Sequence, residues 1–371
     1  MTLLIVGASA RAAAQSSLHA GLSPVAHDLF GDRDHATERV DPSTYPECFE
    51  PILAKAPEGC PWIYTGALEN HPDLIDRMAA LRPLWGICGE ALRACRNPAA
   101  VADALASRGL PHAKVSETDA GLPRDGSWLI KPRASAGGRR IRPLDHESLS
   151  QKRPVYYQER IEGTPLAAIF CAGSNGCVLF GVTRQMLGRD GEPFSYTGSI
   201  GPWPMSDRAR EAILIIGETF ANAFYLKGIF GVDLILDAHD RPFPVEINPR
   251  YTASVEVLEM AVGRSLLAMH RLAFEPGAIV ESIDPSVKQS FAGKAILFAD
   301  RRCTLPMLDA WHPRESRGVA DIPAIGATFA PGEPVMSVLA RGSSLSSCTR
   351  RLDVRLALWR SRLVDSPLRG D

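Results

Sequence analysis

The sequence of 371 residues has no apolar run approaching the roughly 20 residues that a membrane-spanning helix needs. Its first residues, Met1 to Gly7, lack the basic segment and the long apolar stretch of a secretory signal peptide. The 8 cysteines include no Cys-x-x-Cys pair, which in a chain of this size is typical of free thiols in a reducing compartment. We therefore expect a cytoplasmic protein without a membrane partner.

An excess of one charge is also missing, because 41 Lys and Arg residues balance 42 Asp and Glu residues. This balance gives no indication of a nucleic-acid partner, although the basic run Arg139 to Arg142 could contact phosphates. Hydrophobic residues make up 45% of the chain and charged residues 22%, as in a globular protein. The length predicts two or three domains.

Residues 1–90 have the pattern of an N-terminal α/β domain. An apolar run at 2–6, a helix ending near residue 20 and a strand at 23–30 form a βαβ unit and predict a parallel sheet. Further strands are expected at 62–66 and 84–87, with a helix at 72–81 between them. Only Gly7 matches the three-glycine fingerprint of dinucleotide-binding proteins, so we interpret it as a structural turn.

Residues 91–275 form a second segment, and residues 276–371, richer in Pro, Gly and short strands, form a third. Asn97 and Ser206 are predicted helix N-caps. The expected strands of the second segment lie at 127–132, 141–144, 154–159, 166–172, 177–183, 231–236 and 243–248, and its helices at 98–107, 206–228 and 255–274. The third segment is predicted to contain a small β unit and a basic helix at 346–363.

The strongest local pattern pairs Asp233 with Glu246 across a predicted hairpin. Both residues are equally distant from the turn at His239-Asp240, so they should lie opposite each other on one face, and Asn248 shares that face. The other face would be apolar, with Val232, Leu234, Leu236, Val245 and Ile247. Like charges opposite each other are destabilising unless a cation lies between them, and oxygen ligands of this kind suit magnesium. Ordinary solvated polar residues are the alternative interpretation.

Two further motifs are weaker. Lys131 ends a predicted strand beside the Gly137-Gly138 loop, where its ammonium and the loop N–H groups could bind phosphates. A surface lysine and a simple turn would explain the same pattern, and the Gly-Lys-Ser/Thr of a P-loop is missing. The strand leading into Gln158–Gly163 offers free backbone groups that could bind an adenine edge, but an edge strand is the simpler interpretation.

In this order, the three motifs resemble the ATP-grasp superfamily over about residues 97–275. The resemblance implies an ATP-grasp fold of the α/β (α+β) class, with an N-terminal βαβ domain and a small C-terminal β-rich appendage. It implies ATP and Mg²⁺ as cofactors, with Mn²⁺ as the alternative metal. The activity it implies is amide formation between a small-molecule carboxylate and an amine through an acyl phosphate.

The resemblance also implies a role for each motif residue. Lys131 would contact the α- and β-phosphates, under a lid loop that contains Ser135, Gly137 and Gly138. The adenine-binding segment would consist of Gln158, Glu159, Ile161 and Glu162. Two magnesium ions would be held by Asp233, Glu246 and Asn248, with Glu246 bridging them. Charge on the transferring phosphoryl group would be stabilised by the catalytic residues Arg250 and Arg184.

The sequence departs from the family pattern at two nucleotide contacts. The lysine expected before the helix at 98–107 is absent, and Arg96 is the nearest substitute. No acidic residue for the ribose is visible at Thr164–Leu166. The missing lysine leaves open a non-catalytic nucleotide-binding regulator, and a small-molecule kinase on the same fold is a further alternative.

Within the superfamily, the segments Gln158–Thr164 and Asn248–Ser254 look most like the ligases related to tyramine–glutamate ligase of methanofuran synthesis. The C-terminal stretch 320–335 is similar to ATP-grasp proteins linked to methanofuran and tetrahydromethanopterin metabolism. These similarities imply an α-amino acid substrate, with glutamate as the leading candidate, and a homodimer remains an open alternative to a monomer. Arg250 could hold the substrate carboxylate with nearby hydroxyls, or serve only phosphate while Ser254 caps the next helix.

Overall fold

The computed structural model describes residues 1–35, 37–146, 154–189, 191–283, 290–305, 318–324 and 326–365. These residues form several sheets with helices packed on them, so the predicted mixed α/β class is confirmed. In the ranges described, no helix combines the length and apolar character needed to cross a membrane.

The described strands are β1 (Thr2–Val6), β2 (Ser23–Asp28), β3 (Thr37–Arg39), β4 (Trp62–Tyr64), β5 (Val115–Ser116), β6 (Asp125–Pro132), β7 (Arg142–Asp145), β8 (Val155–Glu159), β9 (Thr164–Gly173), β10 (Gly176–Arg189), β11 (Glu192–Gly201), β12 (Gly228–Leu236), β13 (Pro242–Asn248), β14 (Phe291–Phe298), β15 (Cys303–Thr304), β16 (Val319–Ala320), β17 (Thr328–Phe329), β18 (Pro334–Gly342) and β19 (Val364–Asp365). The described α-helices are α1 (Arg11–His19), α2 (Phe49–Lys55), α3 (Pro72–Leu81), α4 (Gly89–Cys95), α5 (Pro98–Ala106), α6 (Asp207–Ala223), α7 (Ala253–Val262), α8 (Leu266–Ala273) and α9 (Leu345–Arg362).

The N-terminal sheet has the strand order β3-β2-β1-β4, and its strands are parallel as predicted. Leu3 to Val6 of β1 are all buried, which is typical of a parallel strand covered on both faces. The strand expected at 84–87 is wrong, because only Leu84 bridges to the sheet, at Trp62. The segment is held by other bonds: Trp85 N donates to Trp62 O at 2.8 Å, and Tyr64 Oη donates to Ile87 O at 2.8 Å.

A large central sheet runs in the order β13-β12-β9-β10-β11-β14-β18-β16. Alternation along β9 sends Phe170 to one face, where it stacks on Phe230 with ring centroids 5.2 Å apart and packs near α6. Ile169 and Cys171 point to the other face, where they join the apolar cluster beneath α7 and α8. Strands from both sides of the predicted boundary at 275/276 pair in this sheet, as in β11 with β14. The domain boundaries themselves stay predictions.

Several predicted helix ends are confirmed, and others are wrong. Asn97 and Ser206 accept the expected N-cap hydrogen bonds. The helix predicted to continue to Gly228 ends at Ala223, and Gly228 instead begins β12. The single helix expected at 255–274 is two, α7 and α8, because Gly263 adopts a left-handed conformation with φ +71°.

A smaller antiparallel sheet, β5-β8-β6-β7, carries Lys131 near the end of β6. In the pairing of β6 with β8, Lys131 lies opposite Tyr156, and two residues earlier on β6 Leu129 lies opposite Gln158. Lys131 and Gln158 are both buried. The sheet therefore turns one cationic and one amide side chain toward the interior of the protein, where they meet the acidic end of the central sheet.

Candidate nucleotide and metal site

A cleft of about 1260 Å³ lies where the three main sheets meet. It is bounded by residues that follow the carboxyl ends of β1, β2 and β4, which is the usual place for a ligand in an open α/β sheet. Its volume exceeds the roughly 300–1,000 Å³ of a typical small-molecule pocket. The cleft therefore has room for a nucleotide together with further substrates.

The hairpin β12–β13 forms one wall of this cleft. Asp233 pairs with Glu246 as predicted, and Gly231 pairs with Asn248. The register nevertheless shifts after Asp233, because Leu234 pairs with Pro244. This β-bulge makes Val245 an extra residue that lines the cleft, so its predicted place on the apolar face is wrong. The other predicted apolar residues are buried on the opposite side: Val232, Leu234, Leu236 and Ile247.

The three oxygen-bearing side chains of the hairpin lie together. Asn248 Nδ2 donates to Asp233 Oδ2 at 3.2 Å, which fixes the two side chains on the same face. Gln185 on β10 donates from Nε2 to Asp233 Oδ1 at 2.9 Å. Glu246 Oε1 accepts from Arg96 Nη1 at 2.6 Å. Gln185 was not predicted, because its position depends on the pairing of β9 with β10 and β12 rather than on any local motif.

The two carboxylates of the hairpin differ in acidity. Burial, reinforced by the negative charge of Glu246, raises the pKa of Asp233 to about 7. Burial alone would raise the pKa of Glu246 as well, but Arg96, Lys131 and Arg250 outweigh it and hold that pKa below its usual range. One carboxylate is therefore fully charged and the other is close to half-protonated near neutral pH.

The donor set fits a magnesium ion that is bound together with a polyphosphate. Magnesium usually takes one or two protein carboxylates and completes its shell with phosphate oxygens and water. Asp233, Glu246 and the amide oxygen of Asn248 supply that kind of set. In the part of the chain that the structure describes, no three His, Cys, Asp or Glu side chains form a complete metal cluster.

Lys131 lies against the acidic hairpin. Its Nζ donates to Gln158 Oε1 at 2.9 Å and to Val245 O at 3.1 Å, and it stands 5.6 Å from the centre of the Tyr156 ring. Both of these acceptors are neutral, so among the described residues no carboxylate forms a direct ion pair with this buried ammonium, and an incoming anion could. Gln158, predicted to belong to the adenine-binding segment, thus also positions this lysine.

The predicted adenine-binding segment borders the same cleft. Gln158, Glu159, Ile161 and Glu162 all line it. Glu159 is tied to the strand β5 region, since its N–H donates to Lys114 O at 2.8 Å and its carboxylate accepts from Lys114 N at 3.2 Å. Glu162 is exposed at the cleft edge. The assignment of these residues to adenine remains a prediction.

The glycine loop covers another side of the cleft, which Ser135, Gly137 and Gly138 line. Gly137 O accepts from Tyr196 N at 2.9 Å, and Ser135 O accepts from Asn70 Nδ2 at 3.1 Å. Gly138 has φ +70°, and a Cβ there would stand 2.0 Å from Phe194 O, so only glycine fits this close approach. Gly138 O also accepts from Ile141 N at 3.5 Å, so these hydrogen bonds use the carbonyls of the loop and leave its N–H groups suited to phosphate oxygens.

We expect the backbone amides of residues 135–139 to exchange with solvent rapidly in the free protein. With ATP and Mg²⁺ bound, their exchange rate should fall by about tenfold or more. The reason is that the described hydrogen bonds of the loop use its carbonyls and leave its N–H groups free to exchange, whereas phosphate oxygens would engage those N–H groups. Hydrogen exchange read by mass spectrometry measures this, with the central strand β9 as the internal control. Equal exchange with and without nucleotide would contradict the lid assignment.

Of the two predicted catalytic arginines, only Arg250 reaches the cleft. Its Nη2 donates to Asn248 Oδ1 at 3.1 Å and its Nε to the buried Glu69 at 2.7 Å. Arg184 is not among the described residues that line the cleft, because strand alternation in β10 turns it away and points Gln185 inward. Arg184 is exposed and stacks on Trp203 at 5.4 Å. The structure therefore removes Arg184 from the candidate site.

Arg96 and the hydroxyls that follow Arg250 also differ from expectation. Arg96 Nη1 also donates to Ile247 O at 3.2 Å, so this arginine supports the acidic hairpin directly. Ser254 does not cap a helix, because it lies inside α7 and its hydroxyl bonds Thr183 at 2.9 Å. Thr252 occupies the N-cap position without a capping bond, and its buried Oγ1 has no partner among the described residues.

A second ionic cluster at the cleft was not predicted. The Arg11 side chain is fully buried and holds Glu256 with two bonds, of 2.5 Å and 3.0 Å. Its Nε donates to Asp321 at 2.8 Å, and Lys294 Nζ lies 2.8 Å from Glu256 and 2.9 Å from Asp321. Lys294 and Asp321 line the cleft. We call these four residues the ionic quartet.

Comparison with known proteins supports the predicted fold. A family model described as the ATP-grasp domain matches residues 95–254. An uncharacterized protein of Methanocaldococcus jannaschii is 26% identical over 220 residues, which are 57% of this chain and 50% of that protein. The chain thus spans about half the length of the curated relative it matches.

Solved structures resemble nearly the whole chain. L-amino acid ligase from Bacillus licheniformis superposes with a TM-score of 0.70 at 15% identity, covering 99% of both chains. The N5-carboxyaminoimidazole ribonucleotide synthetase of Thermus thermophilus gives 0.70 at 17% identity and covers 100% of both. Phosphoribosylamine–glycine ligase of Thermotoga maritima gives 0.70 at 17% identity and 96% coverage of both. At these identities the likeness establishes the fold alone.

Proposed function

We propose that this protein is an ATP- and magnesium-dependent ligase that joins a carboxylate to an amine. The observation that carries the proposal is the acidic face of the β12–β13 hairpin, where Asp233, Glu246 and Asn248 meet beside Lys131. Carboxylates and an amide suited to magnesium, next to an ammonium that forms no direct ion pair among the described residues, are an arrangement for binding a nucleoside triphosphate. The ATP-grasp match and the ligases among the similar structures support this choice.

In the proposed reaction, the substrate carboxylate attacks the γ-phosphorus of ATP, which gives an acyl phosphate and ADP. The amine then attacks the acyl carbon, phosphate leaves, and an amide forms. Magnesium, when bound, would neutralise the phosphate oxygens and align the phosphoryl group. Lys131 would bind the phosphates from beside the hairpin, and the Ser135–Arg139 loop would donate its N–H groups to them.

Arg250 is placed to bind the group that receives the phosphoryl. Its guanidinium bonds Glu69, Asn248 and the Tyr251 carbonyl, so it is held rigidly beside the metal ligands. A guanidinium has five N–H donors, and the three recorded bonds leave donors for a carboxylate or phosphoryl oxygen. This supports a role for Arg250 in stabilising charge on the acyl phosphate.

The size and lining of the cleft favour the ligase over its two rivals. A regulator that only binds nucleotide would not need two acidic ligands facing each other, an arrangement in which burial and then the charge of Glu246 raise the pKa of Asp233. A kinase would need room for one acceptor besides ATP, whereas the cleft of about 1260 Å³ extends past the nucleotide motifs to the ionic quartet. We therefore place the ligase first and the small-molecule kinase second.

The deciding experiment measures ADP release with each substrate omitted in turn. We expect release to require both a carboxylate and an amine, because slow hydrolysis of the acyl phosphate limits turnover when the closed cleft excludes water. A panel of amino acids and amines would be screened first, and any active pair then tested by omission. Full ADP release without the amine would support the kinase, and no release with any pair would support the regulator.

For the substrates, we propose an α-amino acid as one partner, with glutamate as the leading candidate and tyramine or tyrosine as its first test partners. The support is the similarity of Gln158–Thr164 and Asn248–Ser254 to the tyramine–glutamate ligases of methanofuran synthesis. Methanofuran and tetrahydromethanopterin precursors would be included in the panel for the same reason. Unchanged ADP release on omission of glutamate would remove this assignment and leave the ligase proposal intact.

A further inference from the structure

A carboxyl group without a partner lies at the end of the cleft formed by the N-terminal sheet. Asp32 follows β2 and is only 4% exposed, yet its Oδ2 has no hydrogen-bond partner among the described residues. The residue nevertheless lines the cleft. Leaving a buried carboxyl oxygen unsatisfied is costly, so this atom is a strong indication that a ligand supplies the missing donor.

The other acidic groups around Asp32 are already satisfied by fixed donors. Asp28 accepts from the N–H groups of Ala10, Phe30 and Gly31 at 2.8–2.9 Å. Asp34 accepts from Asp321 N and Ile322 N at 3.1 Å and 2.8 Å. Asp321 itself is bonded to the ionic quartet. Asp32 therefore differs from its neighbours in lacking a built-in donor.

The electrostatics at this end favour a cation. Burial raises the pKa of Asp32 to about 8, and the nearby carboxylates Asp321, Asp28 and Asp34 add to the effect. Arg11 opposes this shift only weakly, since it is engaged by Glu256 and Asp321. Asp32 is therefore mostly protonated near neutral pH, and an incoming ammonium group would displace that proton, counter the charge of the neighbouring carboxylates and donate to Oδ2.

We propose that Asp32 binds a primary ammonium group that one substrate carries in addition to its reacting group. This inference rests on the proposed ligase function and names its substrate class: an α-amino acid that reacts through a side-chain carboxylate, or a diamine that reacts through its other nitrogen. Asp32 would act as a specificity-determining residue, while the acidic hairpin and Lys131 serve the nucleotide. A substrate with a hydroxyl or hydrogen in place of the ammonium would lose the interaction.

The test measures equilibrium binding by NMR titration in the presence of ADP and Mg²⁺, so that no turnover is needed. Two matched pairs serve as probes: L-glutamate against glutarate, and 1,4-diaminobutane against 1,4-butanediol. We expect at least one ammonium compound to bind about tenfold or more tightly than its partner. Asp32→Asn should abolish that preference, while Asp32→Glu should retain part of it.

Glu38→Gln is the matched control, because this carboxylate belongs to the same sheet, has a side chain 77% exposed, and does not line the cleft. It should leave the preference unchanged. Asp32→Asn should remain folded, since Oδ2 has no bond to lose, and circular dichroism would verify this. Equal binding of both members of each pair, or an unchanged preference in Asp32→Asn, would overturn the proposal. ADP release is assayed separately, so failure of the ligase function would appear there and not in the binding data.

Discussion

Replacement of Glu246 by Gln is expected to lower the rate of ADP formation by about 10²–10³-fold or more, with the fold retained. The substitution removes the fully charged carboxylate of the hairpin, whose pKa is held low by Arg96, Lys131 and Arg250. Asp233 and Asn248 would remain, but together they supply only one charged ligand oxygen group to a magnesium ion. The measurement is ADP release at saturating and at limiting Mg²⁺.

The stability of this variant separates a functional role from a structural one. The change relieves repulsion of Asp233 but leaves Arg96 without its carboxylate, although Asn70 and Ile247 O still accept from that guanidinium. These opposing effects should keep the change in the free energy of unfolding to about 1–3 kcal/mol. Glu47→Gln, at a carboxylate 67% exposed, is the control and should preserve activity. Wild-type turnover in Glu246→Gln would refute the metal assignment.

The same variant should change the pH dependence of magnesium binding. Because the folded-state pKa of Asp233 is raised to about 7, the free site retains a proton below that pH, and a metal must displace it. Because the pKa of Asp233 is higher in the folded than in the unfolded protein, this residue destabilises the fold increasingly as pH rises from about 4 to 7. Magnesium affinity should therefore increase between pH 6 and 8 in the wild type. In Glu246→Gln this slope should flatten, because one cause of the raised pKa is gone.

The acidic hairpin could be predicted from sequence because its information is local. Two strands joined by a short turn fix which residues face each other, and Asp233 and Glu246 are indeed paired. The predicted pairing is nevertheless wrong beyond Asp233, because Leu234 pairs with Pro244 and Val245 becomes an extra residue that lines the cleft. A bulge adds one residue without any clear sequence signal, and here it aims Val245 O at Lys131.

Residues that depend on long-range pairing were missed or misassigned. Arg184 and Gln185 are neighbours in sequence, but the register of β10 against β9 and β11 decides which of them faces the metal ligands. Similarly, Ser254 seemed suited to a helix cap because the helix start was placed two residues late. Alternation along a strand has a period of two, so an uncertain register exchanges the inward and outward residues.

The ionic quartet had no sequence signal at all. Arg11 lies 245 residues from Glu256 and 310 residues from Asp321, and Lys294 is on yet another element. Each of these residues looks like an ordinary surface charge within its own segment, since charged side chains are seldom buried. Only the packing of α1, α7 and β14 around one point brings them together. The quartet thus joins the first helix to the part of the chain beyond residue 290.

Removal of one member of the quartet should be strongly destabilising. Arg11→Met keeps an unbranched, largely aliphatic side chain but removes the guanidinium and leaves Glu256 and Asp321 with Lys294 as their only remaining cation in the quartet. The loss of one partner from a buried ion pair typically costs about 3–5 kcal/mol, because the other charge stays buried without compensation. We expect a decrease of that order in the free energy of unfolding, measured by urea denaturation followed by circular dichroism.

The pH dependence gives this prediction its second readout. Burial alone would raise the pKa of Asp321, but Arg11 and Lys294 more than reverse the effect and hold it far below the usual range. An acidic group whose pKa is lower in the folded state stabilises the fold at pH values above its unfolded-state pKa of about 4. This stabilisation is lost as the pH falls through the folded-state pKa. Arg11→Met should therefore lose less stability on acidification than the wild type.

Arg77→Met is the matched control, because Arg77 also pairs with two carboxylates, Glu47 and Glu50, but at the surface. It should change stability little. If both variants lost the same amount, burial of the quartet would not be what makes it stabilising.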